Sequence, residues 1–190
     1  DIALHWIYRS CLTQNEADLK TAIDNVFNPV VYTTEEGFQH DNSYFQHGEQ
    51  LYIGGYGDEI LKGVTQVASY ALGTQYQLDK VKLLSKFMRE TYYRTVRGQN
   101  MSFDVVGRSV SRPGLLNKRT TTTYAQRMID IDPTHADEYK AIIARLNRKQ
   151  PADYQVTASH TQYMCVLNIT LTYVWLLHAR RNVNTATKKT

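Results

Sequence analysis

The sequence predicts an all-α fold of stacked helical hairpins whose long loops carry the polar chemistry. Apolar residues recur at three- and four-residue spacing through most of the chain, the period of a helix with one buried face. The stretches between these runs are rich in Gly, Asn, Gln and His and carry no sustained strand alternation. With 42% hydrophobic and 21% charged residues, the composition is that of a chain able to bury a core.

Ile2, Leu4, Ile7, Tyr8 and Leu12 mark the first helix, and Leu19, Ile23 and Val26 the second. Asn15, ahead of Glu16 and Asp18, is the N-cap of the second helix, and Pro29 stops it. Between Val30 and Leu51 the period collapses into TTEEGFQHDNSYFQHGEQ; a loop this long in a compact domain is commonly functional. Helix returns from Gly57 to Leu72 through Ile60, Leu61, Val64, Val67, Ala68 and Ala71. It returns again from Leu78 to Val96 through Val81, Leu84, Met88, Tyr92 and Thr95. In the following RGQNMSFDVVGRSVSRPG stretch, Phe103, Val105 and Val106 are expected to be extended. Helices over 119–130 and 135–147 follow, with Asp132-Pro133-Thr134 as the turn and cap between them. No linker and no strict repeat divides the chain, so successive amphipathic helices imply a hairpin-stacked architecture.

The 190 residues suit one domain, and 22 Lys+Arg against 18 Asp+Glu leave a net charge of +4. No apolar run is long enough to span a membrane. The opening DIALHWIYRS carries no signal peptide and no Met and begins in mid-helix pattern, so a processed start or a piece of a larger protein is expected. Cys11 and Cys165 match no metal spacing and are expected to be two buried thiols. A pI near 9.0 suits an anionic partner, nucleic acid and acidic polysaccharide alike. Nucleic acid ranks last, because the basic residues are scattered rather than clustered with aromatics.

The chemistry-bearing residues gather in two segments. Asp41-Asn42-Ser43-Tyr44-Phe45-Gln46-His47 is followed by Tyr56 within Gly54-Gly55-Tyr56-Gly57, and Arg108 and Arg112 lie in GRSVSRP. His47 can exchange a proton near neutral pH. A phenol such as Tyr56 works as a base only where positive charge favours the phenolate, and Arg108 and Arg112 can supply it. Glycines around Tyr56 let a bulky ligand approach the backbone. Spacing alone leaves every one of these readable as a solvated loop residue, and with 14 tyrosines in the chain Tyr56 is not distinctive by type.

Longer motifs narrow the reading. DNSYFQHGEQLYIGGYGDEILKGV and MSFDVVGRSVSRPGLLNK, with DIALHWIYRSCL and EEGFQHD, resemble polysaccharide lyases of family eight, nearest to bacterial chondroitin AC lyases. The resemblance runs from Asp1 to about Tyr163 and implies the central part of an α/α toroid, a partial toroid over residues 1–163. It also implies β-elimination on a uronic-acid polysaccharide such as chondroitin sulfate or hyaluronan. By motif, His47 matches the active-site His and Tyr56 the proton-transferring Tyr, while Arg108 favours the ionised Tyr. Arg112, Gln46 and Asn42 are the expected substrate contacts. The family needs no metal for its chemistry, so no cofactor is expected, and its full-length members are expected to be periplasmic or extracellular.

Two departures qualify the resemblance. The family's carboxylate-neutralising Asn lies in a Thr-Gly-Ala-Asn segment expected just upstream of Asp1. At the other end His160-Thr161-Gln162-Tyr163 follows the family, but Met164 stands where it has Trp, and residues 164–190 diverge from its Arg-x-Glu-x-Gly-Asn motif. That tail is expected to be a frameshift product, and its apolar run Val166–Leu177 to be a strand or a packed helix too short to span a membrane. The leading expectation is therefore a lyase fragment, and the alternative a catalytically dead carbohydrate-binding remnant.

Overall fold

A computed structural model of the chain describes residues 2–151, 159–162, 167–171 and 177–181. Helices α1 (Ile2–Leu12) and α2 (Glu16–Phe27) pack on each other as a hairpin. Asn15 caps α2 as its sequence position predicts, its side chain accepting the Asp18 N–H at 3.1 Å. Helix α3 (Tyr56–Ala71) buries Leu61, Val64, Val67, Ala68 and Ala71 along one stripe and packs against α2 and α5 (Thr122–Ile131). A second hairpin joins α5 to α6 (Ala136–Leu146) through a tight turn at Pro133–His135.

The segment expected as one helix from Leu78 to Val96 is more varied. Helix α4 covers only Val81–Phe87, widens into a π-helical turn over Met88–Tyr92 and tightens into a 3-10 turn over Tyr93–Thr95. The extra residue per turn rotates Met88, Thr91 and Tyr92 inward together, and all three are buried. Phe103, Val105 and Val106 are likewise not extended. Two 3-10 turns, Phe103–Val105 and Gly107–Ser111, occupy the region, with Val105 and Val106 fully buried and the Val105 carbonyl accepting the Gly54 N–H at 2.9 Å. Apolar β-branched residues lent that stretch a strand signal, but long-range packing set its backbone.

Short hairpins brace the loops. Strand β1 (Gly37–Phe38) pairs antiparallel with β2 (Tyr44–Phe45), and β3 (Val96–Arg97) with β4 (Asn100–Met101). Strands β5 (Ser159–Gln162), β6 (Leu167–Leu171) and β7 (Leu177–Arg181) form an antiparallel sheet in that order, so the apolar run near the C-terminus contributes a strand. The expected divergence from Met164 onward begins outside the described residues. The architecture is thus helical hairpins with small sheets added, and no closed barrel forms among the described residues.

The core binds the long loop to the helices. Phe38 and Phe87 are fully buried and meet edge to face at 5.0 Å, and Tyr44 packs on Phe38 at 5.1 Å. Burial pushes the Tyr44 phenol up to about 12, so it stays protonated. Cys11 corrects the expectation of a buried thiol: it is exposed, beside Leu12, which is 86% exposed. Cys165 lies outside the described residues. No helix among the described residues is long and apolar enough to cross a membrane.

A polar cluster closes the α5–α6 turn onto α4. Asp132 accepts from Ser85 and Thr134 and lies 2.8 Å from His135 Nδ1, while Ser85 also accepts from Tyr139 at 2.8 Å and from Arg89 at 3.2 Å. The composition is that of a hydrolase triad but the order is not, because the aspartate separates the serine from the histidine. Burial disfavours the Asp132 carboxylate, yet the hydrogen bonds from Ser85, Thr134 and His135 outweigh it and hold its carboxyl below the usual value. A depressed native value contributes stability above the unfolded value and loses it as pH falls through the folded one. Denaturant unfolding followed from pH 7 downward should therefore lose stability as the pH drops below about 4, and Asp132→Asn should flatten that limb. An identical acid limb in the variant would refute the assignment.

Candidate active site

Helix α3 begins at Tyr56, and the turn before it is built for close contact. Gly55 has φ +80°, a conformation that favours glycine. Asp58, in the first turn of α3, accepts the Gly55 N–H at 3.3 Å and so fixes the backbone on which Tyr56 stands. The phenol is half-buried, with its oxygen at the centre of the site.

Two side chains converge on that oxygen. His47 Nε2 lies 2.8 Å from Tyr56 Oη, and Arg108 Nη2 donates to the same atom at 3.1 Å. Which partner donates between His47 and Tyr56 follows from the imidazole tautomer. With Nε2 unprotonated the imidazole accepts a hydrogen bond from the phenol, whose oxygen also accepts from the guanidinium. The His47 and Tyr56 rings meet edge to face at 5.0 Å.

His47 is exposed and its backbone is left-handed, with φ +58°, so something must hold it. Glu36 does so from both sides: one carboxylate oxygen accepts from the Gln46 amide, the other from the Gly48 N–H at 2.7 Å. Gln46 is therefore engaged with Glu36 beside His47. Asn42 departs from its expected role as a substrate contact. It is 3% exposed, its side-chain amide donates to Thr91 Oγ1 at 2.9 Å, and its backbone carbonyl accepts from the Thr91 hydroxyl at 2.8 Å. A side chain so placed offers no surface to a polysaccharide; it fastens the loop to the π-helical turn.

Tyr52 lies beneath the cluster, 2% exposed, edge to face with both His47 (6.0 Å) and Tyr56 (5.2 Å). Its hydroxyl accepts the Arg108 backbone N–H at 3.2 Å. Gly107 lies directly against this ring with φ +53°, and a Cβ there would overlap it. Arg112 closes the same turn, its N–H reaching the Ser109 carbonyl at 3.0 Å, and lines one small open pocket with Tyr56, Arg108 and Leu115. The structure thus gathers His47, Tyr56, Arg108 and Arg112. Among the described residues, no three His, Cys, Asp or Glu side chains assemble in a metal-binding arrangement.

Sequence reasoning missed Glu36, Tyr52, Asp58, Gly107 and Lys118. An acidic residue three positions after a glycine at a helix start is a readable capping signal, so Asp58 was findable. Nothing local marks Lys118, which is buried and ion-paired with Asp58 from a distant segment.

Stacked helical hairpins that open a polar cleft at a helix start define the class only as an all-α hairpin fold. A family model described as the N-terminal alpha-helical domain of polysaccharide lyase family 8 matches residues 1–145. The chain belongs to polysaccharide lyase family 8. It is 41% identical over 166 residues to a chondroitinase-AC of Pedobacter heparinus, covering 86% of this chain and 24% of the relative. It is 28% identical over 142 residues to a hyaluronate lyase of Cutibacterium acnes, covering 71% of this chain and 18% of the relative. A solved chondroitinase AC lyase, studied as enzyme–oligosaccharide complexes, superposes with a TM-score of 0.86 at 38% identity, over 90% of this chain and 26% of that one. A Paenibacillus xanthan lyase shares the fold, with a TM-score of 0.71 at 18% identity over 89% of this chain and 19% of that one. The chain spans about a quarter or less of the length of these relatives. Its hairpins accordingly form a partial α/α toroid.

Gly107 gives a direct test of this packing. Gly107→Ala combines a left-handed φ with a clash against Tyr52 and should cost about 1–3 kcal/mol in urea unfolding. Wild-type stability in that variant would show that the Tyr52 ring does not rest on Gly107.

Proposed function

We propose that this chain carries the Tyr–His–Arg centre of a lyase that cleaves uronic-acid-containing glycosaminoglycan, of the chondroitin or hyaluronan type, by β-elimination. The convergence of His47 Nε2 and Arg108 Nη2 on Tyr56 Oη carries the reading. In it Tyr56 gives its proton toward His47 and, as phenolate held by Arg108, removes the proton from C5 of the uronate. The C5–H electron pair becomes the C4–C5 double bond, the C4–O bond breaks, and the departing oxygen takes a proton from Tyr56. Arg112, exposed on the rim of the same pocket, meets a carboxylate or sulfate of the polyanion through its planar fork of donors. Gln46, held by Glu36 beside His47, is the further residue assigned to substrate contact in this reading. The full-length protein acts, on this reading, in the periplasm or outside the cell, where such polymers occur.

Chondroitin sulfate and hyaluronan incubated with the protein should yield the ultraviolet absorbance of an unsaturated uronate. Tyr56→Phe should lower turnover by about 10²- to 10⁴-fold, the usual worth of a general acid–base group, with substrate affinity largely kept. Undiminished turnover in the variant would remove Tyr56 as the base. Binding without product in the wild-type chain would favour the carbohydrate-binding remnant instead.

A further inference from the structure

Beneath the exposed residues of the site, the Asp58 that holds the Gly55 turn is also ion-paired with Lys118. Lys118 is 3% exposed at its side chain and Asp58 14%, and the two are in direct contact. The Asp58 carboxylate also accepts from the hydroxyl of Tyr92, which is fully buried, and from the Gly55 N–H. Burial, and then the adjacent Asp58 charge, push the Tyr92 phenol well above its ordinary value, so it remains a donor to the carboxylate. Asp58 is therefore held by three donors from three segments: the turn before Tyr56, the π-helical turn and the segment that follows the arginines.

That last segment is rigidly attached. The Lys118 N–H donates to the Gln99 carbonyl at 2.7 Å, and Met101 N–H to the Leu116 carbonyl at 2.8 Å. The Lys118 carbonyl accepts from the Thr121 hydroxyl at 2.7 Å, and the Thr121 carbonyl from Tyr93 Oη at 2.8 Å. The stretch bearing Arg108 and Arg112 thus runs between β4 and Lys118, both fixed points. A buried, hydrogen-bonded ion pair is a poor source of net stability but a strong constraint on register, because a slip by either partner strands a charge.

We propose that the Asp58–Lys118 pair, closed by Tyr92, is the positioning device of this site. It clamps the first turn of α3, which presents Tyr56, to the segment that presents Arg108, and so sets the Arg108–Tyr56 contact. These are positioning residues: Asp58 borders the pocket, but its carboxylate is taken up by Gly55, Tyr92 and Lys118. The assignment rests on the proposed function for its purpose, while its test needs no turnover. It also has an electrostatic consequence: Lys118 balances the Asp58 carboxylate, while Arg108, Arg112 and Glu59 line the pocket beside Tyr56.

The test is carbon-13 NMR of the chain labelled at tyrosine Cζ, with the Tyr56 resonance assigned from Tyr56→Phe. Arg108→Ala should displace that resonance by removing its guanidinium donor. Asp58→Asn/Lys118→Met, which leaves no lone buried charge, should displace it to the same side, whereas Lys118→Arg should restore the wild-type position. A double variant that is folded by circular dichroism yet keeps the Tyr56 resonance unmoved overturns the proposal. If the double variant does not fold, Tyr92→Phe decides: a smaller displacement to the same side supports the clamp, and an unmoved resonance overturns it. An Arg108→Ala spectrum with Tyr56 unmoved would instead refute the Arg108–Tyr56 contact on which the proposed function stands, which separates the two failures.

Discussion

The site depends on one buried ring. Tyr52 makes no contact with any proposed substrate, yet His47 and Tyr56 both stand edge-on to it and Arg108 is tied to its hydroxyl through the backbone. Its own position is set from below by Gly107, whose missing Cβ is the space the ring occupies. Exposed His and Arg side chains ordinarily pay rotamer entropy for each ordered contact. Here the backbones are already fixed when the side chains meet, so less remains to be lost. Two segments far apart in sequence thereby become one preorganised surface.

The loop that carries His47 shows how such a surface survives without regular structure. Its strands are two residues each, too short to hold themselves. Phe38 and Tyr44 anchor it in the core through Phe87, Asn42 fastens it to the π-helical turn, and Glu36 brackets His47 from both sides. The widened turn at Met88–Tyr92 serves both halves of the site, since Thr91 receives Asn42 and Tyr92 reaches Asp58.

Much of this was legible in the sequence, and the rest was hidden for identifiable reasons. Helical periodicity located the helices, and Asn15 marked its cap, because both signals are local. His47, Tyr56, Arg108 and Arg112 were legible through long motifs, and the structure brings them together. Asn42 was misjudged because a polar residue beside a functional motif reads as functional, and only tertiary contacts reveal that it is buried. The π-helical turn and the 3-10 turns around Val105 stayed hidden for the same reason: apolar type gives burial but not backbone conformation. Lys118 was the least legible, since a lysine is almost always solvated and only its partner explains the exception.

Burial also resolves the ambiguity that 14 tyrosines created. Desolvation raises Tyr44, Tyr92, Tyr93, Tyr124 and Tyr139, fixing them as neutral phenols that pack or donate. Tyr56 differs in its setting rather than its chemistry. It is half-buried at the start of a helix, where the unpaired N–H groups of the first turn carry partial positive charge. Arg108 and Arg112 add full positive charge on the open side, and Lys118 balances Asp58 within. The exposed charges lining the pocket beside Tyr56 are thus Arg108, Arg112 and Glu59, while Asp58 is paired with Lys118 beneath.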